Sequence, residues 1–137
     1  CIRDRGNPNG HVILRGGKQT NYDSVSVTEC EQEMAKSGLD ASLMVDCSHA
    51  NSRKDYRRQP LVAEDVIHQI REGNKSIIGL MIESHINEGN QSSELALEEM
   101  KYGVSITDAC INWDSTEALL RHAHEELVPF LENRLKG

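Results

Sequence analysis

Three short apolar runs constrain this chain more than any other feature: residues 12–14 (VIL), 43–45 (LMV) and 77–82 (IIGLMI). Each is apolar almost without alternation, the pattern of strands covered on both faces, as in parallel sheets. They recur about every 30 to 35 residues, the length of one strand–helix–strand unit. Amphipathic stretches fill the intervals. One runs over 25–37 and stops at Gly38; another runs over 61–71 and stops at Glu72 and Gly73, with Pro60 where a first helical turn tolerates it.

Beyond the third run lies a polar stretch, 84–105, rich in Asn, Gly, Ser and Glu. Connections of that length are usually functional or mobile. A last helix is expected from Asp114 and Ser115, with Glu117 closing a capping box on Asp114. Leu119, Leu120, Ala123, Leu127, Phe130 and Leu131 supply its apolar side, and Pro129 is expected to bend it. The order is β-α-β-α-β-loop-α in a single α/β domain, 1–137. Three parallel strands leave two open edges, whereas a (β/α)8 barrel closes its edges but takes about 250 residues. The expected architecture is therefore part of such a barrel, about three of its eight units. A first residue Cys1 in place of methionine agrees with a piece of something longer.

Charge and cysteine usage narrow the function classes. With 22 acidic residues against 15 basic, the net charge is −7, which argues against nucleic acid as the partner. No apolar run approaches the ~18 residues that a membrane span needs, and no basic-then-apolar leader opens the chain. The cysteines, Cys1, Cys30, Cys47 and Cys110, form no CxxC pair and no zinc-finger spacing. A reducing, cytoplasmic setting is expected.

Each strand runs directly into polar, chemically active residues. The first leads to Arg15, Gly16, Gly17 and Lys18, the second to Asp46, Cys47, Ser48, His49, Ala50, Asn51 and Ser52, the third to Glu83, Ser84 and His85. In a parallel α/β architecture the carboxyl ends of the strands share one face. Arg15, His49 and Glu83, each 34 residues from the next, are therefore expected to converge, with Asp108 folding over the same face. Arg15 beside two glycines offers a planar cation and a closely approachable backbone, suited to phosphate or carboxylate; a structural ion pair at a turn is the bland alternative. His49, Glu83 and Asp108 form a nitrogen and oxygen set suited to divalent manganese, iron, cobalt or zinc. Three protein ligands leave room for substrate, although capping and ordinary ion pairing would also account for each residue singly.

Several other residues carry lesser readings. Cys47 alternates with His49 and could join it on a soft metal, but packing is the ordinary role of a free cysteine. His85 could support a ligand from behind, against a default of loop exposure. His68, His122 and His124 read as helix-surface residues. Arg53, Lys54, Arg57 and Arg58 read as a solvated basic face, with anion steering as the alternative.

The strings HVILRGGK (11–18), MVDCSHANS (44–52), IESHINEGNQ (82–91) and YGVSITDACINW (102–113) together resemble the C-terminal portion of the 3-deoxy-D-arabino-heptulosonate-7-phosphate synthases. The resemblance covers nearly the whole chain in family order and spacing. It implies a metal-dependent (β/α)8 barrel, of which this chain would hold strands six to eight, that joins phosphoenolpyruvate to erythrose 4-phosphate. Arg15 matches the arginine that holds the phosphoenolpyruvate phosphate. His49, Glu83 and Asp108 match three of four protein ligands of the divalent metal, and His49 and Asp108 are the implied catalytic residues, Asp108 also ordering a substrate hydroxyl or water. The fourth ligand, a cysteine near the first barrel strand, has no counterpart here, nor do the earlier lysines and arginines that grip both substrates. The chain alone is therefore expected to be inactive and, with open sheet edges, to form a homo-oligomer. Rival readings are the related octulosonate-phosphate synthases and a non-catalytic half-barrel that binds anions or partners.

Overall fold

The computed structural model describes residues 6, 7 and 9–134; Cys1 lies outside them. Its elements are β1 (Val12–Leu14), α1 (Ser24–Lys36), β2 (Leu43–Asp46), a 3-10 turn (Tyr56–Arg58), α2 (Gln59–Arg71), β3 (Ile77–Met81) and α3 (Trp113–Arg134). The three strands form one parallel sheet in the order β1-β2-β3, with Leu14 opposite Val45 and Asp46 opposite Met81. All three carboxyl ends consequently lie at the same edge of the sheet.

The apolar runs become strands because one face of each feeds a common core. Leu14, Leu43, Val45 and Ile77 pack with Val27 and Met34 of α1, Val62, Ala63, Val66 and Ile70 of α2, and Leu119 of α3. Burying each such large side chain stabilises the fold by ~1.5–3 kcal/mol. The expected cover on both faces is only half met, since Ile13 and Ile78 remain 43% and 56% exposed. Their continuous apolar character fits a sheet whose second face is the inner wall of a larger barrel.

Helix ends follow local chemistry. Asp23 caps α1 by accepting from the Ser26 amide. Burial works to raise its carboxyl pKa, but the hydrogen bonds from Ser26 outweigh it and the pKa lies below the ordinary value. Gly38, at φ +71°, ends α1 with its amide on the Ala35 carbonyl. The expected capping box on Asp114 is not what starts α3. Asn112 does so, its side-chain oxygen accepting from the Ser115 amide, while Glu117 pairs with Arg121 at 2.7 Å. The helix continues past Pro129 to Arg134, and only part of its expected apolar side packs. Leu119 and Leu127 join the core, while Leu120 and Leu131 stay exposed.

The long 84–105 stretch is a stitched structure with little regular secondary structure. Gly89 and Cys110 exchange backbone hydrogen bonds, and Ser84 bridges in parallel to Ile111. Gln91 donates to the carbonyls of Lys101 and Val104 and accepts from the Lys101 amide.

One buried amide fastens the strand ends. Asn51, fully buried, donates to the carbonyls of Leu14 and Asp46, the last residues of β1 and β2, and accepts from the Asn21 amide. Asn21 in turn accepts from the Gly16 amide. Gly16 sits at φ +72°, where an added methyl would meet Ala50 Cβ at 2.8 Å, so the turn after β1 admits only glycine. Replacing Asn51 with leucine strands three buried backbone groups and is expected to lower stability by at least ~2 kcal/mol, read from the midpoint of denaturant unfolding. An unchanged midpoint would show that Asn51 fastens nothing.

Candidate metal and anion site

The carboxyl edge of the sheet opens into a cavity of about 530 Å³ whose walls include Arg15, Gly16, Gly17, His49, Lys54, Tyr56, Glu83, Asn90 and Asp108. All four residues expected from the sequence therefore meet. Ligand atoms of His49, Glu83 and Asp108 lie within 4.8 Å of one another, and His49 Nε2 stands 3.5 Å from Asp108 Oδ2.

Each ligand is placed by a different local device. His49 follows β2 in a tight turn, at φ +47°, with its carbonyl accepting from the Lys54 amide at 2.9 Å. That left-handed backbone is costly for a residue with a side chain, and here it swings the ring back over the strand end. There Nδ1 lies 2.7 Å from Asp46 Oδ2, and Asp46 is buried, its other oxygen accepting from the Ser48 amide and hydroxyl. Glu83 is held by Gln59 at the start of α2. The fully buried Gln59 amide donates to the Glu83 carbonyl and accepts from the Glu83 amide, so it pairs like a neighbouring strand. Asp108 comes from the stitched segment. Asn90 donates to the Thr107 carbonyl on one side of it, and the Gly89–Cys110 pair closes the other. Its carboxylate is 65% exposed and so open to a ligand.

The donor set fits a divalent cation. Three nitrogen and oxygen donors converge, and a histidine with a carboxylate behind its far nitrogen is the usual arrangement around a bound metal. Arg15 is exposed at the same mouth, and among the described residues neither it nor Lys54 has a carboxylate within ion-pair distance. The glycines beside Arg15 contribute close approach only. Their amides are already used, Gly16 by Asn21 and Gly17 by the Gln19 carbonyl.

The weaker sequence readings sort cleanly. Cys47 is fully buried in the core, its thiol pushed up to about 12 by burial and then by the Asp46 carboxylate, and it stands outside the ligand cluster. His85 accepts from the Ile86 amide and lines a separate depression with Tyr102 and Ile106. His68 faces Glu72 and His122 pairs with Glu64 on helix surfaces. Of the basic cluster, Lys54 reaches the cavity, while Arg57 stacks over Tyr56 at 5.3 Å. Sequence reasoning noted Asp46 and Asn51 among the residues after the second strand without assigning them a role, and missed Gln59. Asp46 was findable three residues before a candidate ligand histidine; Gln59 and Asn51 look like ordinary polar residues until their burial is seen.

Fold and site together define a parallel α/β protein with a candidate metal-binding cluster and an adjacent exposed arginine at the carboxyl ends of its strands. The chain belongs to the DAHP synthetase I family, whose model matches residues 3–121. It is 64% identical over 134 residues to the Tyr-sensitive phospho-2-dehydro-3-deoxyheptonate aldolase of Enterobacter agglomerans, covering 98% of this chain and 63% of that protein. To the Tyr-sensitive enzyme of Escherichia coli K12 it is 66% identical over 126 residues, covering 92% of this chain and 35% of the enzyme. The solved phospho-2-dehydro-3-deoxyheptonate aldolase of Francisella tularensis superposes with a TM-score of 0.83 at 38% identity, over 89% of this chain and 35% of that one. The chain thus spans about a third of the length of the last two and under two thirds of the first.

Because the folded Cys47 value lies above the ordinary 9.0, its contribution to stability is intact below about pH 9 and is lost as pH climbs towards 12. Alkylation of the native chain at mildly alkaline pH should label half-buried Cys30 well before Cys47, read by peptide mass spectrometry. Equal rates would mean that the Cys47 thiol is not enclosed.

Proposed function

We propose that this chain is the part of a (β/α)8 synthase barrel that holds a divalent cation and the phosphate of phosphoenolpyruvate, and that the whole protein condenses phosphoenolpyruvate with erythrose 4-phosphate. The observation that carries this reading is the meeting of His49, Glu83 and Asp108 within 4.8 Å beside Arg15 in one cavity. The three strands stand as strands six to eight of the barrel; if the Asp108 segment, which bridges in parallel beyond β3 through Ile111, is counted as a strand of its own, the set becomes five to eight.

In the reaction the methylene carbon of phosphoenolpyruvate bonds to the aldehyde carbon of erythrose 4-phosphate, water adds at the former enol carbon, and inorganic phosphate leaves. His49, Glu83 and Asp108 would hold the cation, whether manganese, iron, cobalt or zinc. Bound there, it supplies Lewis acidity to the aldehyde oxygen. Arg15 clamps the phosphoenolpyruvate phosphate through its planar fork and fixes the angle at which the methylene carbon meets the aldehyde. Lys54, on the opposite turn of the same mouth, adds positive charge for two anionic substrates. Asp108, the most exposed of the ligands, orders a substrate hydroxyl or the incoming water. A cytoplasmic setting belongs to this reading, and Cys30, Cys47 and Cys110 as free thiols agree with it; no helix among the described residues is long and apolar enough to cross a membrane.

In the full-length protein, Glu83→Ala should abolish metal-dependent consumption of phosphoenolpyruvate with erythrose 4-phosphate, followed by loss of enol absorbance; retained turnover would refute the assignment. The relatives' names favour this pair of substrates over those of the octulosonate-phosphate synthases. The 137-residue chain by itself is expected to turn over negligibly and, through its open sheet edges, to self-associate in light scattering. Synthase-like turnover by the chain alone would overturn the first expectation, and a monomer at every dilution the second. A non-catalytic anion-binding module would leave the full-length protein without turnover before any substitution.

A further inference from the structure

We infer that Asp46 is a positioning residue that fixes the tautomer of His49, keeping the ring hydrogen on Nδ1 so that the Nε2 lone pair faces the cluster with Glu83 and Asp108. The inference rests on the cation-binding reading given above and deepens it. With Asp46 as a carboxylate, the hydrogen-bond partners of Nδ1 leave the neutral ring one arrangement. Asp46 Oδ2 lies 2.7 Å from Nδ1, and Ser48 Oγ lies 2.7 Å from it as well. Asp46 Oδ1 is already committed to the Ser48 amide at 2.8 Å and to the Ser48 hydroxyl at 2.7 Å. With its single hydrogen given to Asp46, the Ser48 hydroxyl also presents lone pairs to the ring. Both neighbours of Nδ1 are therefore acceptors. A bare nitrogen there would set lone pair against lone pair, and Asp46 is buried to 1% exposure, where solvent cannot relieve the repulsion.

The consequence is felt at the other end of the ring. With the hydrogen on Nδ1, Nε2 is an acceptor standing 3.5 Å from Asp108 Oδ2. A cation between or beside two acceptors at that separation would satisfy both of them. Asp46 thus keeps Nε2 available to a cation, and the Ser48 contacts hold the carboxylate at the required angle. The sequence places all three groups within four residues, 46–49, so the device belongs to the β2 turn itself.

The test uses the 137-residue chain with 15N-labelled histidine at alkaline pH, where a free imidazole is neutral. Two-bond proton–nitrogen correlation spectra should show His49 with a protonated Nδ1 and a bare Nε2. In Asp46→Asn the new amide can donate to Nδ1, and the hydrogen is expected to move to Nε2. Cobalt(II) titration, read by the visible spectrum and by calorimetry, should weaken by about 10–100-fold in the same variant, with circular dichroism confirming that the fold persists. A wild-type His49 with a bare Nδ1 and its hydrogen on Nε2 overturns the inference, as does an Asp46→Asn chain with unchanged tautomer or unchanged cobalt affinity. If that variant does not fold, the wild-type spectrum decides alone. If the wild-type chain takes up no cobalt, the cation reading fails for the isolated chain, while the tautomer spectrum still settles the role of Asp46.

Discussion

The carboxyl ends of parallel strands are where a sheet runs out of backbone partners, and this chain solves that problem with buried side-chain amides. A strand that stops leaves carbonyls and amides with no neighbour, at a cost of about 1–3 kcal/mol for each buried group left unpaired. Asn51 takes the last carbonyls of β1 and β2, and Gln59 takes both backbone groups of Glu83. No buried side-chain polar atom among the described residues lacks a partner. The same amides that satisfy the strand ends also fix where Arg15, His49 and Glu83 leave the sheet. Stability and site geometry therefore rest on the same hydrogen bonds, and a change made for one is felt by the other.

This dependence explains what could be read in the sequence. The strands, their parallel order and the convergence of Arg15, His49 and Glu83 were legible because they follow from hydrophobic run length and from a spacing of 34 residues, while Asp108 was placed only by expecting the segment after the long loop to fold over the same face. Run length and spacing are one-dimensional signals. Gln59 and Asn51 were not legible, because their meaning is the backbone group across the gap, 24 residues away for Gln59 and 37 for its Asn51 counterpart on Leu14. Asp114 was misread as a cap for a related reason. Asp114 and Asn112 both suit a helix start, and the choice fell to Asn112 because the preceding residue, Ile111, bridges to Ser84 and fixes where extended backbone ends. The apolar side of α3 was overcounted because composition reports which residues could pack, while the width of α2 opposite decides how many do.

The long segment after β3 shows the same physics without regular secondary structure. Asn87, Asn90 and Gln91 each donate to a carbonyl 10 to 17 residues further on. A run of Asn, Gly and Glu reads as a loop because it carries no hydrophobic period, yet side-chain amides can do what a sheet ladder does when strands are too short to pair. What emerges is a rigid mount for Asp108, whose carboxylate stays open to solvent while its backbone is tied on both sides.

The three clustered side chains are mounted largely by separate local devices, with one link between two of them: the Ile111 amide, in the Asp108 segment, donates to the Glu83 carbonyl. His49 depends on the 46–54 turn, Glu83 on one glutamine of the helix that precedes its strand, and Asp108 on a segment stitched to its own flanks. None of these devices reaches across β1 to a strand further back. The mutual placement of these three side chains is accordingly set within this chain, because each needs only its own turn and the residues stitched to it. Charge follows the same division. In a chain of net charge −7, the cations at the mouth come from the turns after β1 and β2, Arg15 and Lys54, and the carboxylates from β3 and beyond. Positive charge thereby lies on one side of the mouth and negative charge on the other, a separation that follows strand order.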